Sequence, residues 1–244
     1  MSERQQVALV SGSTRGIGKA IAEQLVLDGY IVVQNSRTSV QDSELVGQTH
    51  IRADVTNPNE CKELIEKIVE VYGQLNLLVC NVGSGKSLSS GVDPAESWDY
   101  FLNINLNSTT YLVDSALEAL IATKGNTVAI SSICGEDPTI EAPIGYTTAK
   151  AGLEMFMKTM AVRYGKKGLR FNVVSPGNVL FEGSVWDQKL KADKVAAKSY
   201  LEQQVPLARF ITPQEIAGAV SFLASSRAQS ITGIVLPVDG GQSI

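Results

Sequence analysis

Short apolar runs alternate with amphipathic stretches from one end of the chain to the other. The runs are Val7–Val10, Tyr30–Val33, His50–Ala53, Leu75–Cys80, Thr127–Ile130, Arg170–Val174 and Ile234–Val238. Each is short and mostly apolar on both faces, as expected of strands of a parallel sheet covered by helices. Between them the period changes to that of a helix. Ile17, Ile21 and Leu25 form one stripe ended by Gly29, and Leu64, Ile65, Ile68, Val69 and Tyr72 form another ended by Gly73. Strand and helix in strict alternation predict an α/β fold with a doubly wound, mostly parallel sheet of about seven strands and helices on both faces.

Punctuation supports the pattern. Asn57-Pro58-Asn59-Glu60, Asp93-Pro94-Ala95-Glu96 and Thr212-Pro213-Gln214-Glu215 share one arrangement. The first residue caps free N–H groups, proline suits the first helical position, and glutamate reaches back. No repeat or low-complexity linker interrupts the chain, so residues 1–244 are expected to form a single domain. One segment departs from the rhythm. Leu180–Gln204 is long, polar and weakly amphipathic, with Trp186 and Tyr200 among charges. It is read either as a lid over a substrate site or as a plain surface helix.

Composition narrows the chemistry. Of 244 residues, 21 are Lys or Arg and 25 are Asp or Glu, a net charge of −4 that speaks against a nucleic-acid binder. One histidine, His50, and three cysteines, Cys61, Cys80 and Cys134, lie far apart in sequence. They form no metal-ligand pair, so no metal site is expected, and a Ser-His-Asp hydrolase would rest on His50 alone. Proton chemistry would then fall to Tyr, Lys or carboxylates. The odd cysteine count suits reduced thiols, and Cys134 is read as packed. The polar start lacks a signal-peptide layout, and no apolar stretch approaches the ~20 residues that span a bilayer. The expectation is a cytoplasmic protein without membrane contact.

The first strand runs into Ser11-Gly12-Ser13-Thr14-Arg15-Gly16-Ile17-Gly18 and then a helix. That is the setting of a dinucleotide site, with Gly12 for the turn, Gly16 for close approach of a pyrophosphate and Gly18 for helix packing. The spacing is Gly-x-x-x-Gly-x-Gly. A site for NAD usually places an acid at the end of the second strand. Here the run is Gln34-Asn35-Ser36-Arg37. Arg37, with Arg15, could pair with a 2′-phosphate, so NADP(H) is expected over NAD(H).

Tyr146 and Lys150 stand at i and i+4, on one face of a predicted helix. A neighbouring ammonium favours phenolate and would lower the tyrosine pKa from its usual ~10. Tyr146 could then pass a proton to or from a carbonyl oxygen.

With the glycine loop, Tyr146-x-x-x-Lys150 and Ser132 in Ile130-Ser131-Ser132-Ile133, the chain resembles the short-chain dehydrogenase/reductase family, whose fold is Rossmann-like. Further positions match in order: Asp54-Val55, Cys80-Asn81-Val82-Gly83, Asn105, Pro176-Gly177 and Val238-Asp239-Gly240-Gly241. The resemblance runs from about Val7 to Gly241. It implies Tyr146 as general acid/base and Lys150 as the residue that lowers its pKa and bonds the nicotinamide ribose. Ser132 would hold the substrate oxygen, and Asn105 a relay water. The cofactor contacts it implies are Gly12, Ser13, Arg15, Gly16, Ile17, Gly18, Ser36, Arg37, Asp54, Val55, Asn81, Val82, Gly83, Tyr146, Lys150, Pro176, Gly177 and Val179.

There are departures. Cys80 and Val82 replace Asn and Ala in the family's turn, and the interval from Ser132 to Tyr146 is one residue longer than usual. Asn178-Val179-Leu180-Phe181 lacks the threonine that usually follows Pro-Gly, leaving Asn178 or backbone to hold the carboxamide. The substrate mouth is expected from Ser84–Val92, Gly135–Gly145 and Phe181–Tyr200. The sequence is similar to 3-oxoacyl-carrier-protein reductases. Lys124, Lys166 and Lys167 could dock an acidic carrier, although Asp114 and Glu118 oppose this. A polyol or sugar-like substrate is the alternative, and an NADP-binding regulator without turnover is a reading of another class. The resemblance also implies a homotetramer or homodimer. One interface would form through helices near Trp98–Ile121 and Tyr146–Tyr164, with Phe101, Leu112, Met155 and Phe156 as contacts, and another through the C-terminal strand.

Overall fold

The computed structural model describes residues 5–38, 48–85, 95–137 and 142–244. Seven strands form one sheet in the order β3-β2-β1-β4-β5-β6-β7, parallel throughout. They are β1 (Val7–Val10), β2 (Ile31–Ser36), β3 (Gln48–Arg52), β4 (Leu77–Cys80), β5 (Asn126–Ile130), β6 (Arg170–Pro176) and β7 (Val235–Val238). The order reverses between β1 and β4, which opens a crevice outside the carboxyl ends of the strands. Every expected strand is present. β2 and β6 run two or three residues past the apolar runs that announced them.

Helices cover both faces. α2 (Pro58–Tyr72), α4 (Ser108–Thr123) and α5 (Ile144–Tyr164) pack Leu64, Ile68, Leu112, Leu120, Leu153 and Met157 on strand residues such as Leu9, Val33, Leu78 and Phe171. α1 (Gly16–Leu27) and α8 (Pro213–Ala224) pack Ile21, Leu25, Ile216 and Val220 on the alternate residues Val10, Val32, Val79 and Val128. Alternation along the central strands thus feeds two apolar layers, which is why most of the runs are apolar on both faces. Between them α3 (Ala95–Leu102) leads through a π-helical turn, Asn103–Asn107, into α4.

Two of the three expected helix starts fall within the described residues. Asn57 accepts from the Asn59 N–H at 3.0 Å. Thr212 and Glu215 form a reciprocal capping box, with the Thr212 N–H donating to Glu215 at 2.8 Å. Asp93-Pro94 lies outside the described residues. Gly73 ends α2 with φ 70°, the left-handed conformation glycine adopts without strain. The segment Leu180–Gln204 holds two helices, α6 (Val185–Ala192) and α7 (Lys194–Gln204), each capped by its own side chain, Ser184 and Asp193. Among the described residues no helix is long and apolar enough to cross a membrane.

Candidate active site

A cleft of about 1350 Å³ follows the carboxyl ends of β1 to β6. Its walls include Gly12, Arg15, Ile17 and Gly18, then Ser36, Arg37, Asp54 and Val55, then Asn81, Val82 and Gly83. Ser132, Tyr146, Lys150, Pro176, Gly177 and Val179 line its other half. Three expected residues stand behind these walls. Ser13 is buried, donating to Val10 O at 2.7 Å and accepting from the Asn35 N–H at 3.1 Å, so it anchors the loop to β2. Gly16 is covered by the Phe181 ring, which a Cβ there would strike. Asn105 is buried in the π-helical turn. It accepts from the Ser84 N–H at 2.8 Å and donates to the carbonyls of Ser84 and Phe101 at 3.1 Å.

The glycine loop is shaped by close approach. A Cβ on Gly12 would lie 2.9 Å from Val82 Cγ2, and one on Gly18 would strike the Gly12 carbonyl and the Asn81 amide. Asn81 donates to the carbonyls of Ser11 and Gly12 at 3.0 and 3.1 Å, stapling the loop to β4. The N-terminus of α1 has no side-chain cap and no acid in its first turn. Its donors and the positive end of the helix therefore face the cleft, which suits an anionic pyrophosphate. Arg15 and Arg37 line the same end, and the Ser36-Arg37 turn is braced by Arg52, whose Nε donates to Arg37 O at 2.9 Å. These residues fit an anionic dinucleotide.

At the other end the chemistry converges. Tyr146 and Lys150 rise from the first turns of α5, and Ser132 leaves the end of β5 as the cap of a short 3-10 turn, accepting from the Cys134 N–H at 3.3 Å. The Ser132 hydroxyl hydrogen-bonds the Tyr146 side chain. Lys150 Nζ donates to Ile130 O at 2.8 Å and lies 5.9 Å from the centre of the Tyr146 ring. Gly83 is the floor between Lys150 and Asn105. A Cβ there would lie 3.0 Å from Nζ and 2.9 Å from Asn105 Oδ1.

The electrostatics correct one expectation. Burial pushes the Tyr146 phenol above its ordinary value, and the Ser132 hydrogen bond pulls it only partly back. Burial also lowers Lys150 to about 8, opposed by the nearby Glu154 carboxylate. Desolvation disfavours whichever form is charged, so a neutral phenol and a weakened ammonium have one cause.

Other placements differ from expectation too. Cys134 is half-buried and lines the cleft, because the 3-10 turn carries it outward from β5. Phe101 and Leu112 are wholly buried within the subunit and are unavailable to an interface, whereas Met155 is 62% exposed. Of the expected mouth, residues 86–92 and 138–141 lie outside the described residues. Tyr100 and Gln242 line the cleft without having been anticipated. Gln242 comes from the short tail after Asp239-Gly240-Gly241. It accepts from Asn178 Nδ2 at 2.8 Å and donates to the Tyr200 hydroxyl at 2.9 Å. Nothing in its local sequence signals that reach.

A model of the family described as Enoyl-(Acyl carrier protein) reductase matches residues 12–243. The chain belongs to the short-chain dehydrogenase/reductase family. This enzyme is 33% identical over 247 residues to 3-oxoacyl-[acyl-carrier-protein] reductase FabG of Escherichia coli (strain K12), covering 99% of this chain and 98% of that protein. It is similar in structure to ligand-free aldohexose dehydrogenase (AldT) of Thermoplasma acidophilum, with TM-score 0.88, 31% identity, and 98% and 94% of the two chains covered. It also resembles the Pseudomonas aeruginosa RhlG/NADP active-site complex, with TM-score 0.88, 25% identity, and 100% and 98% covered. Its class is therefore that of NAD(P)-dependent dehydrogenases and reductases acting on CH–OH groups.

Proposed function

We propose that this enzyme interconverts a ketone and a secondary alcohol with NADP(H), using Tyr146 to exchange the proton. The observation that carries the reading is the meeting of Tyr146, Ser132 and Lys150 in one wall of the cleft beside the glycine loop. The nicotinamide supplies or accepts the hydride. All else falls to the chain. The α1 N-terminus and Gly12–Gly18 hold the pyrophosphate, Arg15 and Arg37 a 2′-phosphate, and Asp54-Val55 the adenine end. Asn81–Gly83, Pro176, Gly177 and Val179 bound the nicotinamide end. Ser132 holds the substrate oxygen. Tyr146, neutral because it is buried, is in the state that donates a proton to a carbonyl. In the reverse direction phenolate is needed, and the Lys150 ammonium is the cation placed to favour it. Asn105, with Gly83, fixes the floor beside Lys150. The relative named as an NADP complex supports the cofactor assignment.

The cleft wall favours a hydroxylated substrate over a carrier-bound thioester. Around the proposed lid, residues 180–204, the lining includes Trp186, Gln188, Tyr200, Gln203 and, from the tail, Gln242. Amides and ring faces match hydroxyl groups and the apolar face of a sugar ring. AldT is named as acting on aldohexoses and FabG on carrier-bound 3-oxoacyl groups, so both stand among the relatives. Steady-state assays with NADP⁺ and a panel of aldoses and polyols, and with NADPH and ketones and 3-oxoacyl thioesters, decide between them. The highest kcat/KM is expected on a hydroxylated compound. A thioester preference would move the assignment to the acyl reductases, and NADP binding without any turnover would leave the regulatory reading.

A further inference from the structure

Glu154 lies one helical turn beyond Lys150 on α5 and is only 3% exposed. Its neighbours in sequence give no reason for a buried acid, since Leu153 and Met157 beside it are core residues. The space it occupies is made by the 3-10 turn Ile133–Gly135. A Cβ on Gly135 would fall on the Glu154 carboxylate, so glycine at that position leaves room for the acid. The carboxylate is also partnered. Ser131 Oγ donates to Glu154 Oε1 at 2.6 Å. Ser131 immediately precedes Ser132, and Ile130 before it accepts the Lys150 hydrogen bond. One acid is thus tied to the strand end that carries Ser132 and sits beside the residue that carries the site's positive charge.

We propose that Glu154 is a positioning residue of this active site, its buried carboxylate keeping Lys150 in the ammonium form and anchoring the Ser131-Ser132 strand end. The proposal rests on the role of Lys150 given above. A buried ammonium loses hydration, and a buried carboxylate nearby restores part of what is lost. Burial lowers Lys150 and raises Glu154, and each charge opposes the shift that burial imposes on the other. Among the described residues the groups facing this pair are few. On α5 they are Tyr146 and Lys158, and on the 3-10 turn and just after it Cys134 and Glu136. Lys158 and Glu136 pair with each other at 3.8 Å with side chains about half exposed, so solvent screens them. Glu154 is the acid that acts on Lys150 from within.

The test uses the full-length enzyme without cofactor. Lysine labelled at Cε is titrated by NMR in wild type, Glu154→Gln and Glu154→Asp, with Lys150→Arg identifying the Lys150 signal. The Gln variant keeps size and an acceptor for Ser131 but removes the charge. Its Lys150 midpoint is expected to fall by about two pH units, the scale of a charge one helical turn away at an effective dielectric constant near 20. The Asp variant should return the midpoint most of the way to wild type. An unchanged midpoint in Glu154→Gln, or the same displacement in both variants, overturns the proposal. In turnover, the alkaline limb of kcat for alcohol oxidation should move to lower pH with the midpoint. If the midpoint moves and the limb does not, Glu154 acts on Lys150 as proposed, but the role given to Lys150 in turnover fails. Should Glu154→Gln fold poorly, Ser131→Ala removes the anchor and keeps the charge. Its Lys150 midpoint should stay within a few tenths of wild type while KM for the carbonyl rises, and a midpoint displaced like that of a charge deletion contradicts the electrostatic role.

Discussion

Lys150 donates to the backbone carbonyl of Ile130 at 2.8 Å, tying the first turns of α5 to the end of β5. The bond fixes where the ammonium can stand relative to Ser132, two residues after Ile130, and to Tyr146 one turn earlier on the helix. It also spends one of the three ammonium protons on the fold, leaving the others for the cleft. Lys150→Met should therefore do two things: leave the Ile130 carbonyl without its donor and remove the charge beside Tyr146. Turnover is expected to fall by at least ~10²-fold, with a measurable loss of NADPH affinity by fluorescence titration. A Met variant with unchanged affinity would separate Lys150 from the cofactor.

The phosphate end makes a separate prediction. Arg15 and Arg37 line the cleft where β2 ends without an acid. Arg37→Asp places a like charge against a 2′-phosphate and removes its partner. The ratio of kcat/KM for NADPH over NADH should drop at least ~10-fold, since a charge-assisted bond is worth about 1.5–3 kcal/mol. A wild-type enzyme that already prefers NADH would overturn the NADP(H) assignment.

Close packing in the glycine loop predicts a stability defect as well as a binding one. In Gly18→Ala the added methyl meets the Gly12 carbonyl and the Asn81 amide, which are held to each other by a hydrogen bond. Overpacking of this kind costs about 1–3 kcal/mol. Chemical denaturation should show that loss, and NADPH binding should weaken with it.

The start of α8 gives a pH prediction. Glu215 bonds Arg209 and the Thr212 N–H, which hold its carboxyl down at about 2 against a usual 4.5. A depressed folded value means stability that is present above the unfolded pKa and lost as pH falls from near 4.5 towards 2. Glu215→Gln should flatten that part of the stability curve in thermal melts. Thr212→Ala, which removes the other half of the box, should cost about 1 kcal/mol at neutral pH.

The architecture was legible where apolar pattern and caps agreed. It failed locally where polar residues belong inside. β2 continues through Gln34 and Asn35 because their amides bond Ser13, Ile51 and Ala53 across the sheet, so polarity there marks a staple and not a strand end. Tyr146, Lys150 and Ser132 were legible through their spacing and resemblance. Their proton affinities were not, because desolvation depends on what covers them. Glu154 and Gln242 were invisible for the same reason. A turn 19 residues earlier buries one, and a tail 42 residues beyond Tyr200 brings in the other. The interface contacts expected at Phe101 and Leu112 failed because helical periodicity cannot say whether an apolar face meets the sheet or another subunit. On α5 it is Met155 and Val162 that are exposed.

The central claim is that Tyr146 exchanges the proton while the rest of the cleft holds the cofactor. Tyr146→Phe removes one hydroxyl from a half-buried ring and leaves the glycine loop, Arg37 and Lys150 in place. Binding of NADPH by fluorescence titration and turnover of the best carbonyl substrate should be measured on the same preparation. The account predicts an NADPH Kd within a few-fold of wild type and a kcat reduced by about 10³-fold or more, within the usual range of general acid–base catalysis. Turnover near that of wild type would contradict it.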